Sequence, residues 1–359
     1  MNKIIINAPA LRAGGGLTIL LQFIEAIPDD EYMYLLFADS SVNVDLSKIN
    51  LQIVSKNVNS FYKRLLWDTF GLKKWLKHNG IIPITSISLQ NTNFRLDVSC
   101  PNYIYYHQPL PLFPFKWNFF KSQERILWFY KNIYPFFVKL FVNSSTQIFV
   151  QLNYIKDGFA QKYNFPKEKI HVVFPKIEIP LLKEEFEINI DSECINLFYP
   201  ATSIFYKNHS VLFESFTLID KQLLHKIVLY LTTNKDDFDF PKKLKNVEFV
   251  FLGQISYKEV IWMFQNVNAL LFPSYIETLG LPLIEAASFG LPIITSDLPY
   301  SHEVLEGYKG VTYIDYKSPK AWGMEILKLT KEKDKRFELY KKEDIKSWSD
   351  FFKIIKENL

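Results

Sequence analysis

The sequence predicts an α/β protein built on two doubly wound parallel sheets. Short runs rich in β-branched residues alternate with longer helical stretches, first as a strand at 4–7, a helix at 17–27 and a strand at 32–37. Such alternation is typical of βαβ units, whose helices cover both faces of a parallel sheet. The chain has 359 residues, which is too long for one ordinary core and suits two domains with a cleft between them.

The alternation returns in the second half of the chain, where five short apolar runs predict the second sheet. They are residues 195–199, 227–231, 247–251, 269–272 and 292–295. Between the halves, residues 176–191 carry mixed charge and show neither helical nor strand periodicity, which is typical of a linker. We therefore predict an N-terminal domain at 1–180, a linker at 181–193 and a C-terminal domain at 194–344.

The last segment, residues 345–359, is predicted to be a helix that packs on one of the domains. Its large apolar side chains recur at the spacing of a single helical face: Trp348, Phe351, Phe352 and Ile355. This periodicity is that of an amphipathic helix.

The composition excludes several classes of protein. Hydrophobic residues make up 48% and charged residues 22%, the balance of a globular chain. Cys100 and Cys194 lie far apart in the sequence, so we expect neither a disulfide framework nor a zinc site, and a reducing cytoplasm fits best. No stretch reaches the roughly 20 apolar residues of a membrane span. The net charge of +4 is mild for a nucleic-acid binder, and no nucleic acid is expected as a partner.

The most informative stretch is residues 273–292, PSYIETLGLPLIEAASFGLP. It follows the predicted strand 269–272, so its first half is a loop at the carboxyl edge of a parallel sheet, where such folds bind ligands. Pro282 suits the first turn of a helix, whose free amides and dipole would bind a diphosphate. Glu285 is then placed to accept hydrogen bonds from a ribose, and Glu277 to reach a sugar ring. In isolation, two glutamates at this spacing would more often be surface acids beside a packing helix.

Together these residues closely resemble the E-x7-E signature of retaining glycosyltransferase family four and its surroundings. The resemblance implies a metal-independent enzyme with the GT-B fold, in which two Rossmann-like domains face a cleft and the terminal helix crosses back to the first domain. It also implies that Glu277 contacts the transferred sugar and that Glu285 binds the ribose. The diphosphate would be held by the amides of Thr278, Leu279 and Gly280.

The resemblance extends more weakly upstream. Lys207 and Asn208 resemble the donor-gripping loop of the family, with Lys207 as a catalytic point charge on the diphosphate. Many relatives carry an arginine about five residues earlier, where this chain has Thr202. Phosphate binding is therefore expected to depend on Lys207 and the helix N-terminus, although a lone loop lysine is usually only solvated. Residues 251–256 would border the nucleobase.

Two features of the first domain are candidates for the acceptor side. Gly15 and Gly16 belong to a glycine run, 14–16, whose amides could approach an anion or a sugar closely, or which could simply be a flexible loop. His107 ends a predicted strand and resembles the histidine that relatives place beside the transferred sugar. A histidine at a strand end is also often purely structural.

Two segments interleave aromatic and basic residues, 61–78 and 113–142. This mixture suits a membrane interface with anionic headgroups, and we expect part of the second run to fill the core of the first domain. The same features could guide single-stranded nucleic acid, but nothing else supports it.

The sequence thus predicts a retaining glycosyltransferase at the inner, cytoplasmic face of a membrane. The donor is expected to be a nucleotide sugar, UDP- or GDP-linked, with no further cofactor and no metal. The acceptor is expected to be a lipid-linked or polysaccharide intermediate of bacterial surface glycan synthesis. Two alternatives remain open: a nucleotide-sugar epimerase or hydrolase on the same fold, and a catalytically idle partner that binds glycan or membrane.

Overall fold

The structure is a computed structural model that describes residues 2–42, 48–177, 179, 186–238, 244–343 and 346–359. It divides into two compact units. The first comprises Met1–Lys176 with Ile345–Leu359, and the second comprises Ile177–Asp344. Of the predicted linker, residues 181–185 lie outside the described part of the chain, and residues 186–193 contain neither helix nor strand.

The first unit is built on a sheet of seven parallel strands. They are β1 Lys3–Asn7, β2 Met33–Ala38, β3 Leu51–Ser55, β4 Pro83–Ser88, β5 Asn102–Tyr106, β6 Thr146–Val150 and β7 Ile170–Val172. Their order is β3-β2-β1-β4-β5-β6-β7, and every neighbouring pair is parallel. The winding reverses between β1 and β4, which makes a switch point where the loops after two adjacent strands leave toward opposite faces.

Helices cover both faces of this sheet, so all five residues of β5 are buried. They are α1 Gly14–Ala26, α2 Phe61–Leu66, α3 Leu72–His78, α4 Arg125–Asn132, α5 Tyr134–Lys139 and α6 Asn153–Tyr163. A π-helical turn, Trp67–Gly71, joins α2 to α3, and short 3-10 turns lie at Ser122–Glu124 and Lys167–Lys169. The basic aromatic segment 61–78 is thus helical throughout, with a wider π-helical turn at its centre.

The second unit holds a sheet of six parallel strands. They are β8 Ile195–Tyr199, β9 Ile227–Leu231, β10 Val247–Phe251, β11 Ala269–Phe272, β12 Ile293–Ser296 and β13 Val311–Ile314. Their order is β10-β9-β8-β11-β12-β13, so the switch point lies between β8 and β11. The helices are α7 His209–Ile219, α8 Tyr257–Asn266, α9 Leu281–Ser288, α10 Pro299–Val304 and α11 Pro319–Leu329. The 3-10 turns are Phe205–Lys207, Asp220–Gln222, Lys235–Asp237 and Thr330–Glu332.

The C-terminal helix, α12 Trp348–Lys356, packs into the core of the first unit. Its apolar face is buried among residues of the first sheet and α1: Trp348, Phe351, Phe352 and Ile355. The Phe351 ring lies 4.1 Å from that of Phe149 in β6 and 5.5 Å from that of Phe23 in α1. Ser347 and Asp350 form a capping box that fixes where the helix begins. The return of this helix to the first unit is confirmed.

The glycine run at 14–16 was predicted to form a loop before the first helix, and the structure differs. Helix α1 begins at Gly14, with Ala13 in extended conformation as its N-cap. The apolar periodicity starts only near Leu17, because the first turn of a helix does not need apolar side chains. The glycines therefore form the first turn itself, and Gly14 takes a positive φ of 58°.

Candidate functional site

The residues predicted to bind the sugar donor lie on two loops at the switch point of the second unit. The loop after β8 carries Lys207 and Asn208, and the loop after β11 carries Glu277 and leads into α9. Because β8 and β11 are adjacent and parallel, both loops leave the same edge of the sheet. The sequence order alone separates the two loops by some seventy residues, and the fold brings them together.

Hydrogen bonds tie these two loops to each other. The Tyr275 amide donates to the Tyr206 carbonyl at 3.0 Å. The Asn208 side chain donates to the carbonyls of Pro273, at 3.3 Å, and Tyr316, at 2.8 Å. Asn208 occupies the left-handed region, with φ of 60°, a conformation that asparagine tolerates better than most residues. Asn208 is thus placed to fix the loops, in addition to any contact with a ligand.

Lys207 and Glu277 meet directly. The Lys207 ammonium lies 2.5 Å from Glu277 Oε1, and both side chains are largely but not fully buried, with 18% and 13% exposed. The sequence argument gave the two residues separate contacts, a phosphate and a sugar, and did not foresee that they pair. The pairing holds the cation and the carboxylate where the two loops converge, and it orients both side chains.

The N-terminus of α9 follows Glu277 by four residues. Gly280 is its N-cap with φ of 72°, and a Cβ there would lie 3.3 Å from the Leu283 and Tyr300 side chains. Within the described chain the backbone amides of residues 278–281 have no hydrogen-bond partner, whereas the Leu283 amide is already bound to the Gly280 carbonyl at 2.9 Å. The free amides therefore include those of residues 278–280, which the family resemblance assigned to the diphosphate.

Glu285 lies in the second turn of α9 and is 5% exposed. Burial raises its pKa from 4.5 to about 7, and a hydrogen bond from the Tyr257 hydroxyl opposes that rise. Tyr257 begins α8, directly after the loop that follows β10. Sequence reasoning had bounded the nucleobase region at 251–256 and missed Tyr257, because an exposed tyrosine at a helix start has no motif of its own.

The loop after β8 has Thr202 at the position where the family resemblance leads us to expect an arginine. Thr202 is exposed, as are its neighbours up to Phe205. Within the described residues the Lys207 ammonium is the cation bonded at this switch point. The expectation that the anion depends on Lys207 and the α9 amides stays a prediction.

In the first unit, His107 directly follows β5. Its Nε2 lies 3.1 Å from the Leu89 carbonyl, and its amide donates to Asn91 Oδ1 at 2.6 Å. Since a carbonyl only accepts, Nε2 carries the proton and Nδ1 of the neutral ring keeps a lone pair. Burial, with the nearby charge of Arg64, lowers the pKa of His107 to about 4, and its hydrogen bond to Leu89 opposes that fall. The ring is therefore neutral at physiological pH and can accept a hydrogen bond.

Gly15 and Gly16 lie in the exposed first turn of α1. A Cβ at Gly15 would meet nothing within 4 Å, and one at Gly16 would lie 3.2 Å from Leu11. The backbone at Gly15 is thus open to close approach, which is the property expected of an anion- or sugar-binding turn.

The two basic aromatic segments both belong to the first unit and touch each other. The Phe61 ring lies 5.2 Å from Phe129 and 4.8 Å from Phe137. Part of the second segment fills the core, as expected, because Leu127, Tyr134 and Val138 are buried. A further set of large apolar side chains is exposed: Tyr62, Leu66, Phe70, Phe119, Phe120, Ile126, Ile133 and Phe136.

The described residues contain neither a metal-binding cluster nor a membrane-spanning helix. No group of three or more His, Cys, Asp or Glu side chains could hold a metal ion in the part of the chain that the structure describes. Across those same residues, no helix has both the length and the apolar character needed to cross a membrane.

The fold and this site place the chain among proteins of the GT-B architecture. It superposes on WaaG, a glycosyltransferase involved in lipopolysaccharide biosynthesis, with a TM-score of 0.64 and 15% identity over 92% of this chain and 90% of that chain. It also superposes on HepE of Anabaena in complex with UDP and glucose, with a TM-score of 0.59 and 12% identity over 100% of both chains. At such identities the likeness concerns the fold, and the predicted GT-B fold is confirmed.

The second unit also resembles a known family in sequence. Residues 183–344, a little under half of the chain, match the family described as "Glycosyl transferases group 1". Over 202 residues the chain is 28% identical to the O-antigen chain mannosyltransferase RfbU of Salmonella typhimurium, which covers 55% of this chain and 54% of that protein. The match thus spans about half the length of this curated relative. The sequence-based recognition of a glycosyltransferase domain is confirmed.

Proposed function

We propose that the chain transfers a sugar from a nucleotide sugar to a glycan or lipid-linked acceptor in bacterial surface glycan synthesis, with retention of the anomeric configuration. The observation that carries this is the Lys207–Glu277 pair beside the free amides of residues 278–281. A cation and several amides converging on one point suit a diphosphate, and a carboxylate in contact with that cation suits a polar sugar ring. The likeness to RfbU, a mannosyltransferase, supports the substrate class.

The chemistry follows from these groups. The bond between the anomeric carbon and the diphosphate oxygen breaks, and the acceptor oxygen bonds to the same face of that carbon. The acceptor proton passes to the departing diphosphate. Lys207 and the amides of 278–281 stabilise the charge that develops on the leaving group. Glu277 orients the transferred sugar, Glu285 accepts hydrogen bonds from the ribose, and no residue serves as a covalent nucleophile.

His107 and the first turn of α1 are proposed to bind the acceptor. The neutral His107 ring offers Nδ1 to a hydroxyl, and the open backbone at Gly15, next to Gly16, allows a sugar or phosphate to approach. The donor is proposed to be a UDP- or GDP-sugar, with no further cofactor and no metal.

Nucleotide binding is tested first by thermal shift with UDP, GDP, ADP, CMP and their common sugars, for the parent chain and Glu285→Ala. A selective rise in melting temperature that weakens in Glu285→Ala supports the donor site and names its base. A chain that no nucleotide stabilises favours the idle-partner alternative.

Transfer is then tested with the selected donor and a membrane extract as the acceptor source. Glu277→Gln and Lys207→Met should each lower transfer by about a hundredfold or more, the loss typical of a missing charge-stabilising group. Lys226→Met and Glu248→Gln serve as matched controls, because they break another lysine–glutamate pair of the same unit, 2.7 Å apart. Equal losses in the control pair would contradict the assignment. Epimerised donor, or hydrolysed donor without acceptor product, would support the rival enzymes.

We further propose that the exposed face formed by segments 61–78 and 113–142 docks on the inner surface of a membrane. Phe120 is 87% exposed. Phe119 and Phe120 line the same surface pocket as Lys116 and Lys121. Apolar rings flanked by ammonium groups match the boundary between acyl chains and anionic headgroups. A peripheral position at the cytoplasmic face would bring the chain to a lipid-linked acceptor.

Docking is tested by sedimentation with vesicles of phosphatidylglycerol and phosphatidylcholine, or of phosphatidylcholine alone. Binding should need the anionic lipid and weaken as salt rises, because surface charges are screened. Phe120→Ser combined with Phe136→Ser should abolish it, whereas Leu224→Ser, which removes an equally exposed side chain from the second unit, should not. Binding that ignores lipid charge and these rings would refute the proposal.

A further inference from the structure

The first unit has a buried polar cluster at its own switch point. The Asp68 carboxylate accepts hydrogen bonds from Asn7 Nδ2 at 2.8 Å and Gln90 Nε2 at 3.2 Å, and it lies 3.5 Å from Arg64 Nε. Asn7 ends β1, and Gln90 follows β4 by two residues. Asp68 therefore bridges the two loops that diverge at this point, although neither the donor chemistry nor the membrane face uses it.

Asp68 lies in the π-helical turn Trp67–Gly71 next to Trp67, and both side chains are buried. Both also contact Asn7: Asp68 accepts from its side-chain amide, and Trp67 Nε1 donates to Asn7 Oδ1 at 3.0 Å. A Cβ at Gly71 would lie 2.5 Å from the Trp67 ring, so only glycine fits there. Turns of this kind are rare and frequently occur at functional sites.

The cluster contacts the segment that holds His107. Gln90 stands between Leu89 and Asn91, whose oxygens accept from the His107 ring and the His107 amide. Arg64 Nη2 donates to the Gln90 carbonyl at 2.6 Å, while Asp68 accepts from the Gln90 side chain. Gln90 is thus hydrogen-bonded through both its backbone and its side chain. Leu89 and Asn91 cannot shift without breaking these hydrogen bonds.

The same glutamine reaches the other acceptor element. Gln90 Oε1 accepts a hydrogen bond from the Ala10 amide at 3.1 Å. Ala10 lies in the segment that leads from β1 to the glycine turn at the start of α1. Gln90 therefore links Asp68 both to the loop that contacts His107 and to the segment that precedes the glycine turn.

We propose that Asp68 is a positioning residue, which acts through Gln90 to fix the orientation of the His107 ring and the segment before the glycine turn. Its consequence for catalysis rests on the proposed function, because it assigns His107 to the acceptor. The geometric part does not depend on that function. Asp68 and Gln90 themselves touch no substrate in this scheme.

The experiment compares Asp68→Asn and Gln90→Met with the parent chain. Gln90→Met removes both side-chain hydrogen bonds while leaving the Arg64–Asp68 pair intact, so it keeps the test open if Asp68→Asn fails to fold. Asp39→Asn is the matched control: Asp39 is also buried at the end of a strand, and among the described residues its carboxylate accepts hydrogen bonds from the Ser41 amide and hydroxyl of its own turn.

The first readout is the side-chain nitrogen NMR spectrum of labelled histidine, with the His107 signals among the six histidines assigned by His107→Gln. The parent should show His107 protonated at Nε2. Both variants should shift those signals or mix the two tautomers, and Asp39→Asn should leave them in place. Unchanged His107 signals in a folded Gln90→Met variant would overturn the proposal, whether or not the chain is an enzyme.

The second readout is steady-state transfer. In the variants, kcat/KM for the acceptor should fall about ten- to hundredfold, as expected for a misplaced contact group, while nucleotide affinity stays that of the parent. A purely structural role would instead lower both together, and that result would overturn the proposal. If the parent transfers nothing, the proposed function fails, and the NMR comparison alone decides the positioning role.

Discussion

Glu285→Gln should make the protein more stable at high pH and leave it nearly unchanged at low pH. Burial raises the pKa of Glu285 to about 7, so the folded protein holds this proton more tightly than the unfolded chain does. Above the unfolded value of 4.5, the unfolded chain releases the proton first, and stability falls as pH rises. The loss is complete once the folded carboxyl also ionises, above about pH 7.

The size of the effect follows from the two pKa values. A shift from 4.5 to about 7 corresponds to about 3 kcal/mol, at about 1.4 kcal/mol per unit. Glutamine has nearly the same shape and never ionises, so the variant escapes this loss. For a unit of this size, about 3 kcal/mol corresponds to a rise in melting temperature of about 6 to 12 °C. Any fixed cost of burying the amide is the same at every pH and cancels in the comparison.

The assay is differential scanning calorimetry of the parent and Glu285→Gln at about pH 3.5 and about pH 8.5, below and above the window set by these pKa values. Glu259→Gln is the control of opposite sign, because the hydroxyl and amide of Ser256 lower the pKa of Glu259. That glutamate stabilises the fold above its unfolded pKa, so its loss should do more harm at high pH. A Glu285→Gln effect that is equal at both pH values, or larger at low pH, would refute the reasoning.

Three further predictions follow from the same structure. Tyr257→Phe removes the hydroxyl that lowers the pKa of Glu285. When nucleotide affinity is measured by calorimetric titration at a series of pH values, the midpoint of its pH dependence should therefore move to higher pH. An unmoved midpoint would contradict the contact. Gly280→Ala should cost about 1–2 kcal/mol in thermal unfolding, because φ is 72° there, and should weaken nucleotide binding, so parent-like values of both would refute it. Phe351→Ala should cost about 3–5 kcal/mol in urea unfolding, because this ring is fully buried in the first unit; a cost below 1 kcal/mol would mean that α12 contributes little there.

Four strands of the second unit, β8, β9, β11 and β12, were predictable because they are buried along their whole length, whereas β13, which is only half-buried, was not predicted. Strands that are buried in this way appear in the sequence as short continuous apolar runs. Four of the five predicted runs match the observed strands at both ends. The fifth begins one residue later, at Ile293, because Pro292 lacks the amide that a ladder hydrogen bond needs. The helix of residues 281–288 was likewise predictable, because a proline and a glycine mark its ends.

Contacts between distant segments were not predictable from the same sequence. Lys207 and Glu277 were each recognised by their motif, but their pairing depends on the order of the strands, which no local pattern specifies. Tyr257 was missed because its contact with Glu285 joins α8 to α9. The π-helical turn at Trp67 was also missed, because aromatic and lysine residues around it fit an ordinary amphipathic helix.

The two switch points hold ion pairs of different kinds, and the hydrogen-bond capacity of each pair explains the difference. In the first unit, Asp68 and Arg64 direct their polar atoms to protein partners. A pair that is satisfied in this way stiffens its surroundings and has little left for a ligand. In the second unit, an ammonium can donate three hydrogen bonds, and within the described chain Lys207 makes one, to Glu277. Free amides follow directly at residues 278–281. At the same place in two similar sheets, the ion pair of the first unit therefore holds neighbouring residues in position. The ion pair of the second unit leaves hydrogen-bond donors available for a ligand.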